Sequence, residues 1–157
     1  MKTRIYFPCL ILLISQFCQS APIVIHNYNL GDWKKIIKKN DKPTIIHFWG
    51  ISCSPCLEEL PQWGKFVKTH KEINFVFVEV DSAPKSVISQ FLSKSNLETV
   101  NNWQVDKSFD DEMRYEIDTH WSGELPMTLI VKNSEKNIKL LGPVDFTLMT
   151  HQFNKKN

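Results

Sequence analysis

Glycine is scarce in this chain, five in 157 residues, and cysteine is limited to four. So little glycine excludes a collagen-like repeat, and four cysteines are too few for a dense disulfide scaffold. No apolar run reaches the roughly 20 residues of a membrane-spanning helix, which sets aside a polytopic membrane protein. Internal repeats, low-complexity tracts and long linkers are missing too. Neither sign of charge is in excess: 19 Lys and Arg face 17 Asp and Glu. That near-neutrality leaves no electrostatic footprint for nucleic acid or an anionic membrane. What remains is 42% hydrophobic and 23% charged, a balance that closes one core at this length and is too short for two ordinary enzyme domains.

The first 20 residues read as a secretory signal peptide. Lys2 and Arg4 form a basic start, Ile5 to Ile14 is mostly apolar, and Ser15 to Ser20 is polar and small. Cutting after Ser20 places Cys18 and Ser20 at the small-residue positions, whereas cutting after Ala21 would set Pro22 against the bond. A retained membrane anchor and lipid attachment at Cys18 are the competing readings. The anchor is disfavoured by Pro8, Ser15 and Gln16, and the lipid by Gln16 and Phe17 just before Cys18. The expected division is residues 1–20 as signal and 21–157 as one domain. Cleavage would remove Lys2 and Arg4, leaving 17 basic residues of the 19 against 17 acidic. It would also remove Cys9 and Cys18, so that only Cys53 and Cys56 enter an oxidising compartment.

Downstream, Leu30, Trp33, Ile36 and Ile37 recur at helical spacing with Lys34, Lys35, Lys38 and Lys39 opposite, a cluster that reads as a solvated face. Asn29 or Asp32 is the expected cap. Thr44 to Trp49 reads as a buried strand. An amphipathic helix follows from about Pro55 to His70, with Leu57, Leu60, Trp63 and Val67 on one stripe and Pro61 expected to kink it. Asn74 to Val80 is a second apolar strand. Pro84 opens a helix that faces Val87, Ile88, Phe91 and Leu92 inward. Leu97 to Trp103 is a candidate short strand, and Ser108 is the expected cap of a helix ending at Ile117. Met127 to Val131 and Ile138 to Leu141 form a hairpin about a turn at Asn133 to Asn137, and Asp145 to Phe153 closes the chain as a helix. This succession predicts an α/β protein with a central mixed sheet flanked by helices on both faces.

Chemistry concentrates at Cys53-Ser54-Pro55-Cys56, between the buried strand and the amphipathic helix. At a helix N-terminus the free amides and the macrodipole favour an anion, so the first thiol ionises easily and attacks near neutral pH. One helical turn brings the second sulfur within disulfide reach, and Pro55 fits the first turn, where its missing donor costs nothing. A structural bridge and half of a zinc site are the bland alternatives. Zinc normally takes four ligands and no second such pair exists, while so small a loop constrains the unfolded chain weakly. Strand-to-helix context favours redox chemistry.

The block His47-Phe48-Trp49-Gly50-Ile51-Ser52-Cys53-Ser54-Pro55-Cys56-Leu57-Glu58-Glu59-Leu60-Pro61 resembles the thioredoxin-like superfamily, and within it the TlpA/ResA-type extracytoplasmic thiol-disulfide oxidoreductases. Gly123-Glu124-Leu125-Pro126-Met127-Thr128-Leu129-Ile130 resembles the segment carrying that family's cis-proline before a strand. The resemblance runs over residues 22–153. Two departures stand out: Ser52 replaces the usual aromatic before the first cysteine, and His47 occupies a position often held by an acid or amide. Trp121 and His120 match no family motif.

The resemblance implies a thioredoxin-like fold and a disulfide reductase that uses no cofactor. Its expected location is the periplasm or exterior. Its clients would be disulfide-bearing exported proteins, apocytochrome c among them, and a membrane thiol donor would regenerate it. Cys53 is the expected attacking thiol and Cys56 the resolving one. Glu59, one turn beyond Cys56, is implied to tune thiol ionisation or carry a proton, against a bland role in first-turn charge complementarity. His47 either exchanges protons with Cys56 or is a satisfied core histidine. A cis Pro126 would set the Leu125 backbone beside the sulfurs for an extended substrate. Trp49 is expected to pack below the site, as part of the substrate-binding floor, and Trp121 is either an exposed substrate contact or a packing residue. A rival reading is an exported copper protein using Cys53, Cys56 and His120; an oxidase or isomerase of the same fold is a third.

Overall fold

The structure, a computed structural model, describes residues 22–37, 42–132 and 137–154. The expected signal segment at 1–20, the Lys38–Lys39 end of the first helix and most of the turn after Lys132 lie outside the described residues. Eleven elements follow one another: β1 (Ile25–Tyr28), α1 (Trp33–Ile36), β2 (Thr44–Trp49), α2 (Ser54–Thr69), β3 (Asn74–Glu79), α3 (Lys85–Lys94), β4 (Asn101–Val105), α4 (Asp111–Ile117), β5 (Met127–Val131), β6 (Ile138–Leu141) and α5 (Phe146–Asn154). The sheet order is β1-β4-β3-β2-β5-β6. Strands β1 to β4 pair parallel, while β5 runs antiparallel to β2 and β6 to β5. The expected mixed sheet is present.

β2 is central, paired with β3 on one side and β5 on the other, and all six of its residues are buried. A strand covered on both faces needs a continuous apolar run, which Thr44-Ile45-Ile46-His47-Phe48-Trp49 supplies apart from His47. Alternation sends Ile45, His47 and Trp49 to one face and Ile46 and Phe48 to the other. The first face packs against Leu60, Trp63 and Val67 of α2, Ile88 and Leu92 of α3 and Met149 of α5; the second packs against Trp33 and Ile36 of α1 and Met113 of α4.

Several expectations shift. β1 has no clear signal in the sequence: its buried pair, Ile25 and Tyr28, brackets the exposed His26 and Asn27, so no alternation appears. α1 is a single turn. Leu97 is buried before β4, but the strand begins only at Asn101. α4 starts two residues later than a Ser108 cap requires, because the carboxylate of Asp110 accepts the Met113 N–H at 3.0 Å and fixes the first turn there. α2 runs through Pro61, which sits exposed within it.

Candidate active site

The end of β2 leads through Gly50, Ile51 and Ser52 into α2, whose N-cap is Cys53. The backbone of Cys53 is extended, and its Sγ accepts the Cys56 N–H at 3.3 Å. A sulfur in the capping position meets the partial positive charge of the helix start, which favours a thiolate once the bond opens. Cys53 and Cys56 are joined as a disulfide. Cys53 is half-buried and Cys56 fully buried, so the first sulfur is the more accessible of the two.

The Leu125–Pro126 peptide is cis. Met127, the next residue, pairs with Phe48, so the cis peptide stands at the same end of the sheet as the cysteine loop. Leu125 is half-buried and touches both core clusters.

His47 and Glu59 come together beneath the motif. His47 Nε2 lies 3.2 Å from Glu59 Oε1, and both side chains are buried. His47 Nδ1 meets the Thr128 hydroxyl at 3.0 Å, on the strand paired with β2, while Glu59 Oε2 accepts the Val144 N–H at 3.0 Å. Burial lowers the His47 pKa to about 3. Burial raises that of Glu59, partly offset by the Val144 N–H. Both directions favour the uncharged form of each group, and neither His47 Nε2 nor Glu59 Oε1 makes a hydrogen bond despite their proximity.

Two aromatic expectations are corrected or narrowed. Trp121 is no surface contact: it is buried against Phe48 and Phe109, and its indole N–H is donated to the Glu124 carbonyl at 3.0 Å. Trp49 is 1% exposed, edge-on to Phe91, and supports the site only from below. His120 lies on an exposed loop, with Nδ1 3.0 Å from the Thr119 hydroxyl. Among the described residues, no three His, Cys, Asp or Glu side chains form a metal-binding group. The copper reading therefore lacks its assembled ligand set.

Sequence reasoning missed Glu79 and Asp81. Asp81 Oδ2 accepts the Ser52 N–H at 2.8 Å, one residue before Cys53. Its carboxylate also occupies the space a Cβ on Gly50 would need, with Oδ2 at 2.6 Å from that point. Glu79, fully buried at the end of β3, accepts the Asp81 N–H at 2.9 Å and the Ala83 N–H at 3.3 Å. The available signal was an acid inside an apolar run, Asn74-Phe75-Val76-Phe77-Val78-Glu79-Val80, where burial demands a partner.

Residues 24–95 match the Thioredoxin family model. A 41-residue segment is 46% identical to the thiol-disulfide oxidoreductase YkuV of Bacillus subtilis; it covers 26% of this chain and 28% of that protein. Among solved structures, a secreted Mycobacterium tuberculosis disulfide oxidoreductase homologous to E. coli DsbE superposes with a TM-score of 0.58 at 16% identity, over 73% of this chain and 82% of that one. StoA from Bacillus subtilis gives 0.57 at 21% identity, over 74% and 86%. The solved structures show that the chain has a thioredoxin-like fold, and the family match covers residues 24–95 of it. The chain thus matches under a third of the length of YkuV, and Cys53 and Cys56 stand with two residues between them.

Proposed function

We propose that the protein is an exported thiol-disulfide oxidoreductase that reduces disulfides in other exported proteins. The observation that carries this reading is the Cys53–Cys56 disulfide at the start of α2, with the half-exposed Cys53 sulfur in the capping position. In the reduced protein, the Cys53 thiolate attacks one sulfur of a client disulfide. The client S–S bond breaks, a mixed disulfide forms, and the departing client thiolate takes a proton from solvent. Cys56 then gives up its proton and attacks the Cys53 sulfur, which releases the second client thiolate. Two electrons have passed to the client and the chain is left as the disulfide. A dithiol donor at the membrane restores it.

In this scheme the carboxylate form of Glu59 accepts the Cys56 proton, its raised pKa making it a stronger base than the buried His47, and the cis peptide before Pro126 presents the Leu125 backbone to an extended client. Export rests on the basic and apolar character of residues 1–20 and on the secreted character of the M. tuberculosis relative. No helix among the described residues is long and apolar enough to cross a membrane. Apocytochrome c fits the client class, as an exported chain whose cysteines must be reduced before haem attachment.

Turnover with a disulfide-bonded protein such as insulin tests the chemistry. Cys53→Ser abolishes it, and Cys56→Ala accumulates a client mixed disulfide visible on a non-reducing gel; retained turnover in Cys53→Ser refutes the assignment. Direction follows from the reduction potential: a reductant falls near about −270 mV and an oxidant near about −120 mV.

A further inference from the structure

Glu79 is a carboxylic acid with no exposed surface at the end of a parallel strand. Nothing in the exchange chemistry above uses it. Its side chain points to the sheet face shared by Phe75 and Phe77, under α2 and α3. Trp49 of β2 and Gln104 of β4 flank it in register. The other buried titratable groups on that face, His47 and Glu59, engage each other. The charged group that acts on Glu79 is Asp81, two residues on.

The two oxygens of Glu79 divide a single task. One accepts the Asp81 N–H and the other the Ala83 N–H. The turn they span contains Ser82 at φ +54°, a left-handed conformation that a serine adopts only when its surroundings hold it. Gln104 donates its amide to the Ala83 carbonyl and closes the same turn from β4. Asp81 leaves this turn and reaches across to β2, where it receives the Ser52 N–H and fills the space beside Gly50. A continuous hydrogen-bonded path therefore runs from the buried acid to the residue before Cys53.

We propose that Glu79 is a positioning residue for the Cys53–Cys56 couple: by holding the turn at 81–83 it places Asp81, and through Asp81 the Ser52 amide, so that the protonation state of Glu79 is read at the redox motif. This deepens the oxidoreductase reading and rests on it for its functional consequence. Burial, reinforced by the Asp81 charge, raises the Glu79 pKa to about 7. Above that pH both oxygens are anionic acceptors, the two N–H bonds are charge-assisted, and the turn is held firmly. The new charge also pushes on the Asp81 carboxylate. Below that pH one oxygen carries a proton and competes poorly for its N–H, and the turn relaxes toward whatever Gln104 alone sustains. Glutamine at this position reproduces the protonated state at every pH.

Amide chemical shifts of the full oxidised chain between about pH 5.5 and pH 8.5 test the path directly, because the bonded cysteines do not titrate. Asp81, Ala83 and Ser52 should titrate together with one midpoint near 7. Glu79→Gln should remove that titration from all three, and Asp81→Asn should remove it from Ser52 while Ala83 retains it. A Ser52 amide that stays flat while Asp81 and Ala83 move overturns the proposal, as does a Ser52 titration that survives Glu79→Gln. If Glu79→Gln does not fold, the wild-type and Asp81→Asn titrations decide. In the reduced protein, the wild-type to Glu79→Gln ratio of Cys53 alkylation rates should be near one at about pH 6 and depart by about threefold or more at pH 8; a constant ratio overturns the functional link. Absent insulin reduction with the Ser52 titration intact would fail the oxidoreductase reading and leave the path standing.

Discussion

His47 carries an imidazole in the middle of the central strand, and the residues around it decide its charge. Folded, it stays neutral until the pH falls to about 3; unfolded, it takes up a proton near pH 6.5. Between those values the unfolded chain binds a proton that the folded chain refuses, so stability falls as pH falls through that window. Between pH 7 and pH 4 this amounts to a loss of about 3 kcal/mol. Glu59 acts in the opposite sense: its raised pKa makes the folded state favour the proton, and its contribution declines as pH rises above the ordinary carboxylate range. Urea unfolding of His47→Gln should therefore show a flatter acid limb than the wild type, and coincident acid limbs would contradict a buried neutral imidazole. The sequence pointed to His47 and Glu59 separately, by strand position and by helical spacing from Cys56. It could not show that they meet, since they belong to different elements. Asp81 and Glu79 were illegible as site residues for the same reason: their relation to Ser52 exists only across the β2–β3 pairing.

At the scale of elements, helix α2 carries the motif and is braced by a close approach to α3. Gly64 marks the point of contact: a Cβ there would fall 1.7 Å from the Ser95 carbonyl oxygen. That neighbour is backbone, at the C-terminal end of α3, and yields only if the helices part. Gly64→Ala should lower stability by about 3 kcal/mol, at the upper end of overpacking costs. The urea midpoint measures it, and an unchanged midpoint would mean that the helices separate freely. The strands and helices with strong periodicity, β2, α2, β3, α3, β5 and α5, were legible because each buries a face of regular spacing. β1 was not, because an edge strand with only Ile25 and Tyr28 buried lacks alternation. The cap of α4 moved from Ser108 to Asp110 because two candidates two residues apart compete and the carboxylate wins. Trp121 was ambiguous in the sequence, and the pocket between Phe48 and Phe109 assigned it to packing.

Across the whole molecule, the proposed redox cycle requires the fold to persist in both states of the sulfur pair. The Cys53–Cys56 link closes a loop of sequence separation 3, for which the chain-entropy argument gives a stabilisation of only about 2 kcal/mol. Dithiothreitol should accordingly lower the unfolding free energy by about that amount while the far-ultraviolet circular dichroism stays native; loss of native structure on reduction would make the bond structural. The core that survives is the two-faced packing on the six-stranded sheet, in which Cys56 is one buried member among many and packs with or without its bond to Cys53. The sequence by itself determined the spacing of the cysteine pair and the class of architecture. Two thiols one helical turn apart after a buried strand, and apolar periods of two and of three to four, are local patterns, and local patterns are written along the chain. Only the tertiary structure decided which buried acids and imidazole face one another, where the cis peptide stands relative to the cysteine loop, and how Glu79 reaches Ser52. Those relations depend on strand order and register, which bring together residues dozens of positions apart.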